Sequence, residues 1–304
     1  MNDYTGYAGK PYNTARRSRT RGEEVTEQLA GELIYYSQRL RPDFYELEVI
    51  PIADVHYGNP LFSEHHLLKT REYVLAQDNR YVVLNGDLCE SVTKASKGDM
   101  NTQRSTPQEQ RDYIINYLLP IKDRILAMTT GNHERRIYNE VGVDLSKDIA
   151  EKLGVPYRAD GVLLKVSFGS GNESHKEKPY VYWIYATHGY GGARTKSAKA
   201  VKVERLGTWI HADVYIMSHD HVVNAAPDVY LLPDNRTHEQ RNKDGMATGF
   251  VVGKVVAKRK MLVKTSAYLK WGGYSEAGGF PPVDLMPPVI KFSGEGKPEV
   301  RVEI

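Results

Sequence analysis

Two histidines, His219 and His221, lie two positions apart just where an apolar run of the chain stops. If the backbone stays extended that far, residues i and i+2 point to the same side of it, so both imidazole rings can reach one object. Imidazole nitrogen is the commonest metal ligand that a side chain offers. The spacing therefore predicts a metal centre at the end of a strand.

Four other apolar runs also end in side chains that bind metals or transfer protons. The five segments are Asp54-Val55-His56, Gly86-Asp87-Leu88-Cys89-Glu90, Gly131-Asn132-His133-Glu134, His188 and His219-Asp220-His221. Each segment alone also fits an ordinary turn or cap, since glycine and asparagine favour such positions. Open α/β sheets, however, place their sites at the carboxyl ends of strands. We therefore expect the five segments to form one site, with Asp220 on the opposite strand face as a solvated or capping carboxylate.

The runs before these segments predict buried strands. They cover residues 47–53, 81–85, 124–130, 180–187 and 213–218, and they are rich in β-branched and aromatic residues. Near-continuous apolar runs are typical of strands covered on both faces. Helical patterns lie between them, and strand patterns outnumber helices after Gly161. The order predicts an α/β fold with two packed mixed β-sheets flanked by helices, a four-layer αββα sandwich.

Two of the intervening helices have boundaries that the sequence marks. Residues 106–109, Thr-Pro-Gln-Glu, supply an N-cap, a proline at the first helical position and the glutamate of a capping box. Leu145, Ile149 and Leu153 recur at helical spacing, and Gly154 follows them as a stop signal. Both patterns predict helices packed on a sheet.

The remaining segments divide the chain. Residues 1–22 contain RRSRTR and lack an apolar period, so they predict a flexible basic arm. Residues 23–42 predict an amphipathic helix, which could dock on the main domain or mediate oligomerisation. Residues 43–304 are expected to form that domain, and the Gly- and Pro-rich stretch 271–288 predicts a long loop that could contact substrate.

Composition narrows the class of protein. The 304 residues carry a net charge of +3 and 40% hydrophobic residues, which is enough for a sizeable core. Cys89 is the only cysteine, so an intrachain disulfide is excluded, which suits a cytoplasmic protein. The sequence has no apolar run long enough to span a membrane and no signal-peptide pattern at its start. We expect a cytoplasmic protein without a membrane partner.

The five segments, in this order, resemble the motifs of the calcineurin-like metallophosphoesterase superfamily. They read D-x-H, G-D-x-x-E, G-N-H-E, H and S-H-x-H, and they extend over more than half of the chain. Two positions depart from the family pattern: Ser218 stands where glycine is usual, and Glu90 where aspartate is more frequent. The resemblance implies that residues 43–304 are a metallophosphoesterase domain.

The resemblance also implies two divalent metals bridged by Asp87 and a hydroxide. Asp54, His56 and His221 would complete the first site, and Asn132, His188 and His219 the second. Manganese is the expected metal, with iron, nickel or zinc as alternatives, because these ions accept nitrogen and oxygen ligands together. Two such cations activate a bridging water and clamp the phosphoryl oxygens of an in-line displacement.

The catalytic residues implied are His133, Asp87 and Glu90. His133 matches the family histidine that contacts the phosphate and can protonate the leaving oxygen, and Glu90 is expected to orient its ring. Arg135, Arg136, Arg194 and Tyr274 are candidates for substrate binding, the arginines by pairing with phosphate and the tyrosine by stacking on a base.

Three functions remain open from the sequence. The first is a phosphodiesterase acting on a nucleotide, DNA or RNA, which the basic arm and Lys196, Lys199 and Lys202 favour. The second is a phosphomonoesterase or protein phosphatase, although the Asp-Arg-Gly of serine/threonine phosphatases is absent after the second motif. The third is a non-catalytic metal-binding scaffold.

Overall fold

The strands of the chain form two sheets in a computed structural model. The structure describes residues 34–94, 96, 100–171, 178–193, 195–234, 242–246 and 253–304. The strands are β1 (Tyr35–Arg39), β2 (Glu46–Ile52), β3 (Arg80–Asn85), β4 (Ile125–Thr129), β5 (Val162–Phe168), β6 (Tyr180–Thr187), β7 (Val214–Met217), β8 (Asn224–Pro233), β9 (Val255–Lys264), β10 (Val289–Ser293) and β11 (Val300–Glu303). The five strands predicted before the motifs are confirmed to within one residue at each end.

The helices lie mostly between strands, as the alternating pattern predicts. They are α1 (Glu64–Leu75), α2 (Pro107–Leu118), α3 (Asn132–Val141), α4 (Leu145–Leu153), α5 (Lys196–Trp209) and the short α6 (Gly273–Ala277), with a 3₁₀ helix over Leu119–Arg124. The capping box predicted for α2 is present, since the Thr106 and Glu109 side chains each bond the other's backbone N–H. Helix α4 ends at Gly154, whose φ of 70° suits a residue without a Cβ.

Each sheet mixes parallel and antiparallel pairs. One has the order β1-β5-β6-β7-β9-β8 and the other β11-β10-β2-β3-β4. The β2, β3 and β4 strands are parallel, and so are β6 and β7. All five precede predicted site segments, so the carboxyl ends of these five strands lead into the loops that carry the predicted ligands.

The main core lies between the two sheets. It joins Val49 and Val83 of the five-stranded sheet to Ile184, Val214 and Val263 of the six-stranded one, all fully buried. A second apolar cluster packs α1, α2 and α4 on the outer face of the five-stranded sheet. A third packs α5 on the outer face of the six-stranded sheet. The predicted four-layer αββα sandwich is confirmed.

The predicted helix over residues 23–42 is wrong for Tyr35–Arg39, which form β1. This strand pairs in parallel with β5 and alternates exposed and half-buried residues. The inward Tyr36 hydroxyl donates to Tyr157 O at 2.9 Å, and Gln38 Nε2 donates to Leu126 O at 2.9 Å. Pairing with β5 therefore overrides a pattern that also fitted helical spacing. The rest of that prediction, like the basic arm over 1–22, lies outside the described residues.

The predicted loop over residues 271–288 contains one short regular element, α6. No helix of the described residues is long and apolar enough to cross a membrane.

Because only one face of β6 packs into the core between the sheets, we expect side-chain truncation on that face alone to lower the free energy of unfolding strongly. Replacing Ile184 by alanine should lower the free energy of unfolding by about 2–5 kcal/mol, because it leaves a cavity among fully buried side chains. Val181, on the same strand, is 42% exposed, and Val181→Ala should cost less than about 1 kcal/mol. Urea denaturation of both variants checks this. Equal losses would contradict the packing described.

Candidate metal centre

The five predicted site segments meet at one edge of the sandwich, where strands of the two sheets end together. Asn85, the last residue of β3, donates from Nδ2 to Thr187 O at the end of β6 (2.8 Å) and to Ser218 Oγ beyond β7 (2.7 Å). Its own carbonyl accepts from His188 Nδ1 at 2.8 Å. One amide side chain thus ties together three of the loops that carry predicted ligands.

The first group of predicted ligands is Asp54, His56 and His221. His221 Nε2 lies 3.2 Å from Asp54 Oδ1 and 3.2 Å from His56 Nε2. Asp54 and His56 are buried, whereas His221 is partly open to solvent. The three donor atoms are close enough together to hold one cation.

The second group is Asp87, Asn132, His188 and His219. His188 Nε2 lies 3.1 Å from Asp87 Oδ2, 3.1 Å from Asn132 Oδ1 and 3.3 Å from His219 Nδ1. The same Asp87 oxygen lies 3.9 Å from His56 Nε2 in the first group. Asp87 Oδ2 therefore stands between the two groups, and the two rings of the S-H-x-H segment belong to different groups rather than to one object.

In three of the histidine rings, the nitrogen that points away from the other predicted ligands (the outer nitrogen) already makes a hydrogen bond. His56 Nδ1 donates to Glu90 Oε2 at 3.0 Å, His188 Nδ1 to Asn85 O, and His219 Nε2 to Gly191 O at 2.6 Å. In a neutral ring the other nitrogen then carries a lone pair. These inner nitrogens face one another and the carboxylates, so positive charge is needed among them.

The donor set fits two divalent cations. Asp54 Oδ1 is buried and accepts no hydrogen bond, an expensive arrangement for a carboxylate unless a cation binds it. Imidazole nitrogen with carboxylate and amide oxygen suits manganese, iron, nickel or zinc. Cys89 is buried and belongs to the apolar cluster beneath α1 and α2, so it is a core residue.

The electrostatics of the groups also favour positive charge. Burial alone would lower the pKa of His56, but its hydrogen bond to Glu90 and the charges of Glu90, Asp87 and Asp54 raise it to about 9. Burial likewise opposes protonation of His188, yet Asp87 raises the pKa of that ring to about 10. Despite burial, His188 and His133 hold the pKa of Asp87 well below its usual range. The carboxylates that favour protonation of these rings would equally favour a cation among them.

Five of the seven predicted ligands have a backbone that non-glycine residues rarely adopt. Asp54, His56, Asp87, His219 and His221 have φ between 51° and 70°. Each such residue costs about 1–3 kcal/mol and persists only where its surroundings enforce it. Here the loops hold each other: Asp54 N donates to Gly86 O, His56 N to Asp87 O, and His219 N to Asp54 Oδ2, each at 3.0 Å.

The predicted pairing of Glu90 with His133 needs correction. The Glu90 carboxylate orients His56, and it is the Glu90 backbone carbonyl that accepts from His133 Nδ1, at 2.7 Å. The Glu90 Oε2 atom lies 3.0 Å from His56 Nδ1 but 3.7 Å from His133 Nδ1, so its hydrogen bond goes to His56. His133 Nε2 then faces Asp87 Oδ2 at 3.9 Å, and burial lowers the pKa of the His133 ring to about 4.

Sequence reasoning placed Glu134 in the third segment but assigned it no role. This buried carboxylate accepts from the backbone N–H groups of Asp87 (3.1 Å), Cys89 (2.8 Å) and Gly131 (3.2 Å). It thereby joins the second and third segments. The signal was present in the sequence, because Glu134 stands at the third position of α3 after Gly131, where a capping glutamate belongs.

The residues predicted to bind substrate do not lie together as the predicted metal ligands do. Arg135 Nη2 lies 2.8 Å from Asp160 Oδ1, and Arg136 Nη1 donates to Ser96 Oγ at 3.1 Å. The positive charge of Arg136 is one of the causes that lower the pKa of His133, after burial. Arg194 lies outside the described residues, and so does the side chain of Tyr274. None of the four is brought into a described contact with the two ligand groups.

Asp220 is buried, so its expected role as a solvated carboxylate is wrong. Lys202 Nζ lies 2.7 Å from one of its oxygens and Lys264 Nζ 2.6 Å from the other. Lys199 Nζ donates to its backbone carbonyl at 2.8 Å. Lys199 and Lys202 were expected to favour a polyanion, but both are engaged inside the protein because their helix, α5, packs over this loop.

The chain was also compared with known proteins. No protein-family model and no curated protein matches it. Among solved structures it is similar to the calcineurin-like phosphoesterase YfkN from Bacillus subtilis, with 13% identity and a TM-score of 0.40 over 85% of this chain and 90% of that one.

Two further solved structures are similar. The NAD nucleotidase of Haemophilus influenzae has 13% identity and a TM-score of 0.37, covering 84% of this chain and 49% of that one. A metallophosphoesterase from Sphaerobacter thermophilus has 14% identity and a TM-score of 0.31, covering 84% and 87%. With TM-scores below 0.5, these similarities leave the reaction of the present chain open.

The raised pKa values predict that metal binding releases protons. At pH 7.5 the rings of His56 and His188, with pKa values of about 9 and about 10, are protonated in the metal-free protein. A divalent cation must displace these protons, so Mn²⁺ binding should release about one to two of them. The release should vanish as the pH rises above about 10. Calorimetric titration in two buffers of different ionisation enthalpy measures it. A binding enthalpy independent of the buffer would contradict the prediction.

Proposed function

We propose that the chain is a dinuclear metal-dependent phosphoesterase that hydrolyses a phosphodiester, in nucleic acid or a nucleotide. The observation that carries the proposal is the position of Asp87 Oδ2 between two groups of nitrogen and oxygen donors, at 3.9 Å from His56 Nε2 and 3.1 Å from His188 Nε2. A carboxylate oxygen shared in this way is suited to bridge two cations. Manganese is our preferred metal, with iron, nickel or zinc as alternatives.

The predicted ligands have the chemistry that such a reaction requires. Asp54, His56 and His221 would hold one cation, Asn132, His188 and His219 the other, and Asp87 both. When bound, the pair would lower the pKa of a water between them and offset the charge that grows on a phosphoryl oxygen during in-line displacement. Glu90, Asn85 and the Gly191 carbonyl each fix one nitrogen of a ring, so that the other nitrogen of His56, His188 and His219 would be free to hold a cation.

His133 is the proposed contact to the phosphate and donor to the leaving oxygen. The Glu90 carbonyl holds its Nδ1, which leaves Nε2 free to face the substrate. Because burial lowers the pKa of the ring to about 4, it is neutral near pH 7 in the free protein. A phosphate anion beside the ring would raise that pKa, so that the ring could carry the proton that the leaving oxygen needs.

The sequence after β3 favours a phosphodiester over a phosphomonoester as the substrate. The segment Gly86-Asp87-Leu88-Cys89-Glu90-Ser91 lacks the Asp-Arg-Gly that serine/threonine phosphatases carry there. The basic segment within residues 1–22, with Arg136, Arg194 and Tyr274, remains the proposed means of binding a longer polyanion such as DNA or RNA. Oligomerisation through the N-terminal segment, residues 23–42, and a cytoplasmic location stay predictions.

The substrate class can be tested with two chromogenic esters. With Mn²⁺ present, the protein should hydrolyse bis(p-nitrophenyl) phosphate in preference to p-nitrophenyl phosphate. Asp87→Ala should abolish both activities and deplete both metals, because the shared ligand is lost. Strong preference for the monoester would favour the phosphatase alternative. A protein that binds no divalent ion and stays inactive with added Mn²⁺ would favour the scaffold alternative.

Substitution of His133 should separate the chemical step from metal binding. His133→Ala should keep both metals while reducing turnover of bis(p-nitrophenyl) phosphate by roughly 10²–10⁴-fold, the usual contribution of a positioned acid. His65, an exposed histidine of α1, provides the matched control, and His65→Ala should leave turnover unchanged. Metal content by elemental analysis accompanies the kinetics. Wild-type turnover of His133→Ala would remove this residue from the mechanism.

A further inference from the structure

A cluster of three lysines surrounds Asp220, the residue between His219 and His221. Lys264 donates from Nζ to Ser218 O at 2.9 Å and to Asp220 Oδ2 at 2.6 Å. Lys202 Nζ donates to Asp220 Oδ1 at 2.7 Å, and Lys199 Nζ donates to Asp220 O at 2.8 Å. Both carboxylate oxygens and the carbonyl of Asp220 are therefore held by ammonium groups.

The cluster is deeply buried. Lys264 is fully buried and Lys199 is 3% exposed, which is rare for lysine because the charged group loses its water. Burial lowers the pKa of both lysines, while the charge of Asp220 opposes that shift. The arrangement holds one short loop, residues 218–221, at the expense of desolvating Lys199, Lys264 and the Asp220 carboxylate, while Lys202 is only partly buried.

That loop needs an external constraint. His219 and His221 both have positive φ, at 70° and 51°, and neither is glycine. The strand before the loop, β7, ends at Met217, and Met217 is in register with Lys264 on the neighbouring strand β9. A lysine at the end of β9 thus reaches across to the turn that follows β7.

We propose that Lys264, assisted by Lys202 and Lys199, is a positioning residue that holds His219 and His221 in the conformation required to bind metal. The inference rests on the proposed function, because it assigns these two histidines to metals. Each histidine belongs to a different ligand group, so one lysine cluster sets the geometry of both groups at once. The lysines act through the loop, since their described partners there are oxygens of Ser218 and Asp220.

The test compares metal binding in two matched lysine variants of β9. Lys264→Met removes the two hydrogen bonds from Nζ to Ser218 O and Asp220 Oδ2 at nearly constant side-chain volume. It should weaken Mn²⁺ binding by about 10–100-fold, the usual effect of losing a partner that orients metal ligands. The matched control is Lys260→Met. Lys260 lies on the same strand but contacts Gly207 O and Asp228 away from the ligand groups, so Mn²⁺ affinity should stay unchanged. Calorimetric titration without substrate gives both affinities.

Two further measurements separate positioning from general stability. The visible spectrum of the Co²⁺-loaded protein reports ligand geometry, and it should change in Lys264→Met but not in Lys260→Met. Thermal unfolding of the metal-free variants records stability independently of metal. If Lys264→Met does not fold, Lys202→Met keeps the test intact, because it removes one donor and leaves Lys264 in place; a smaller loss of Mn²⁺ affinity is then expected.

The outcomes distinguish this inference from the proposed function. Wild-type protein that binds no Mn²⁺ would overturn both. Wild-type protein that binds Mn²⁺, together with unchanged affinity and Co²⁺ spectrum in Lys264→Met or, where that variant does not fold, in Lys202→Met, would overturn the positioning role alone. A lowered melting temperature with unchanged Mn²⁺ affinity would likewise reduce the cluster to a structural one.

Discussion

The crowding of nitrogen and oxygen donors at the two ligand groups is the constraint on which this structure depends. His56 Nε2, His221 Nε2 and Asp54 Oδ1 lie within 4 Å of one another, and His188 Nε2 meets Asp87 Oδ2 and Asn132 Oδ1 at 3.1 Å. Such donors repel unless protons or metal ions lie between them. Such repulsion would destabilise the fold if the donors were only core residues, whereas it favours binding of a cation among them.

The surrounding structure is organised to maintain that crowding. The Glu90 carboxylate and the Asn85 and Gly191 carbonyls fix one nitrogen of each of three rings, and hydrogen bonds between loops hold five residues at positive φ. Glu134 joins the second and third segments through three backbone N–H groups, and Asn85 joins the loops after β3, β6 and β7. Rigid support of this kind allows donors to meet cations without reorganisation.

The sequence predicted the layers and the strand ends because long apolar runs and capping signals are local. Prediction from the sequence failed where contacts with distant segments determine the structure. Tyr35–Arg39 became a strand by pairing with β5, and β8, which contains Pro227, was not recognised because an edge strand needs no continuous apolar run. The partner of Glu90 and the burial of Asp220 depended on which side chains arrive from distant segments, which spacing alone does not encode.

The two ligand groups draw on both sheets, since Asp54, Asp87 and Asn132 follow strands of one sheet, and His188, His219 and His221 follow strands of the other. A slip of one sheet past the other by a single residue would displace these donors by about 3.3 Å, as far as the contacts that unite them. The geometry of both ligand groups is thus sensitive to the alignment of the two sheets. The donor set is complete only where both sheets are docked on each other.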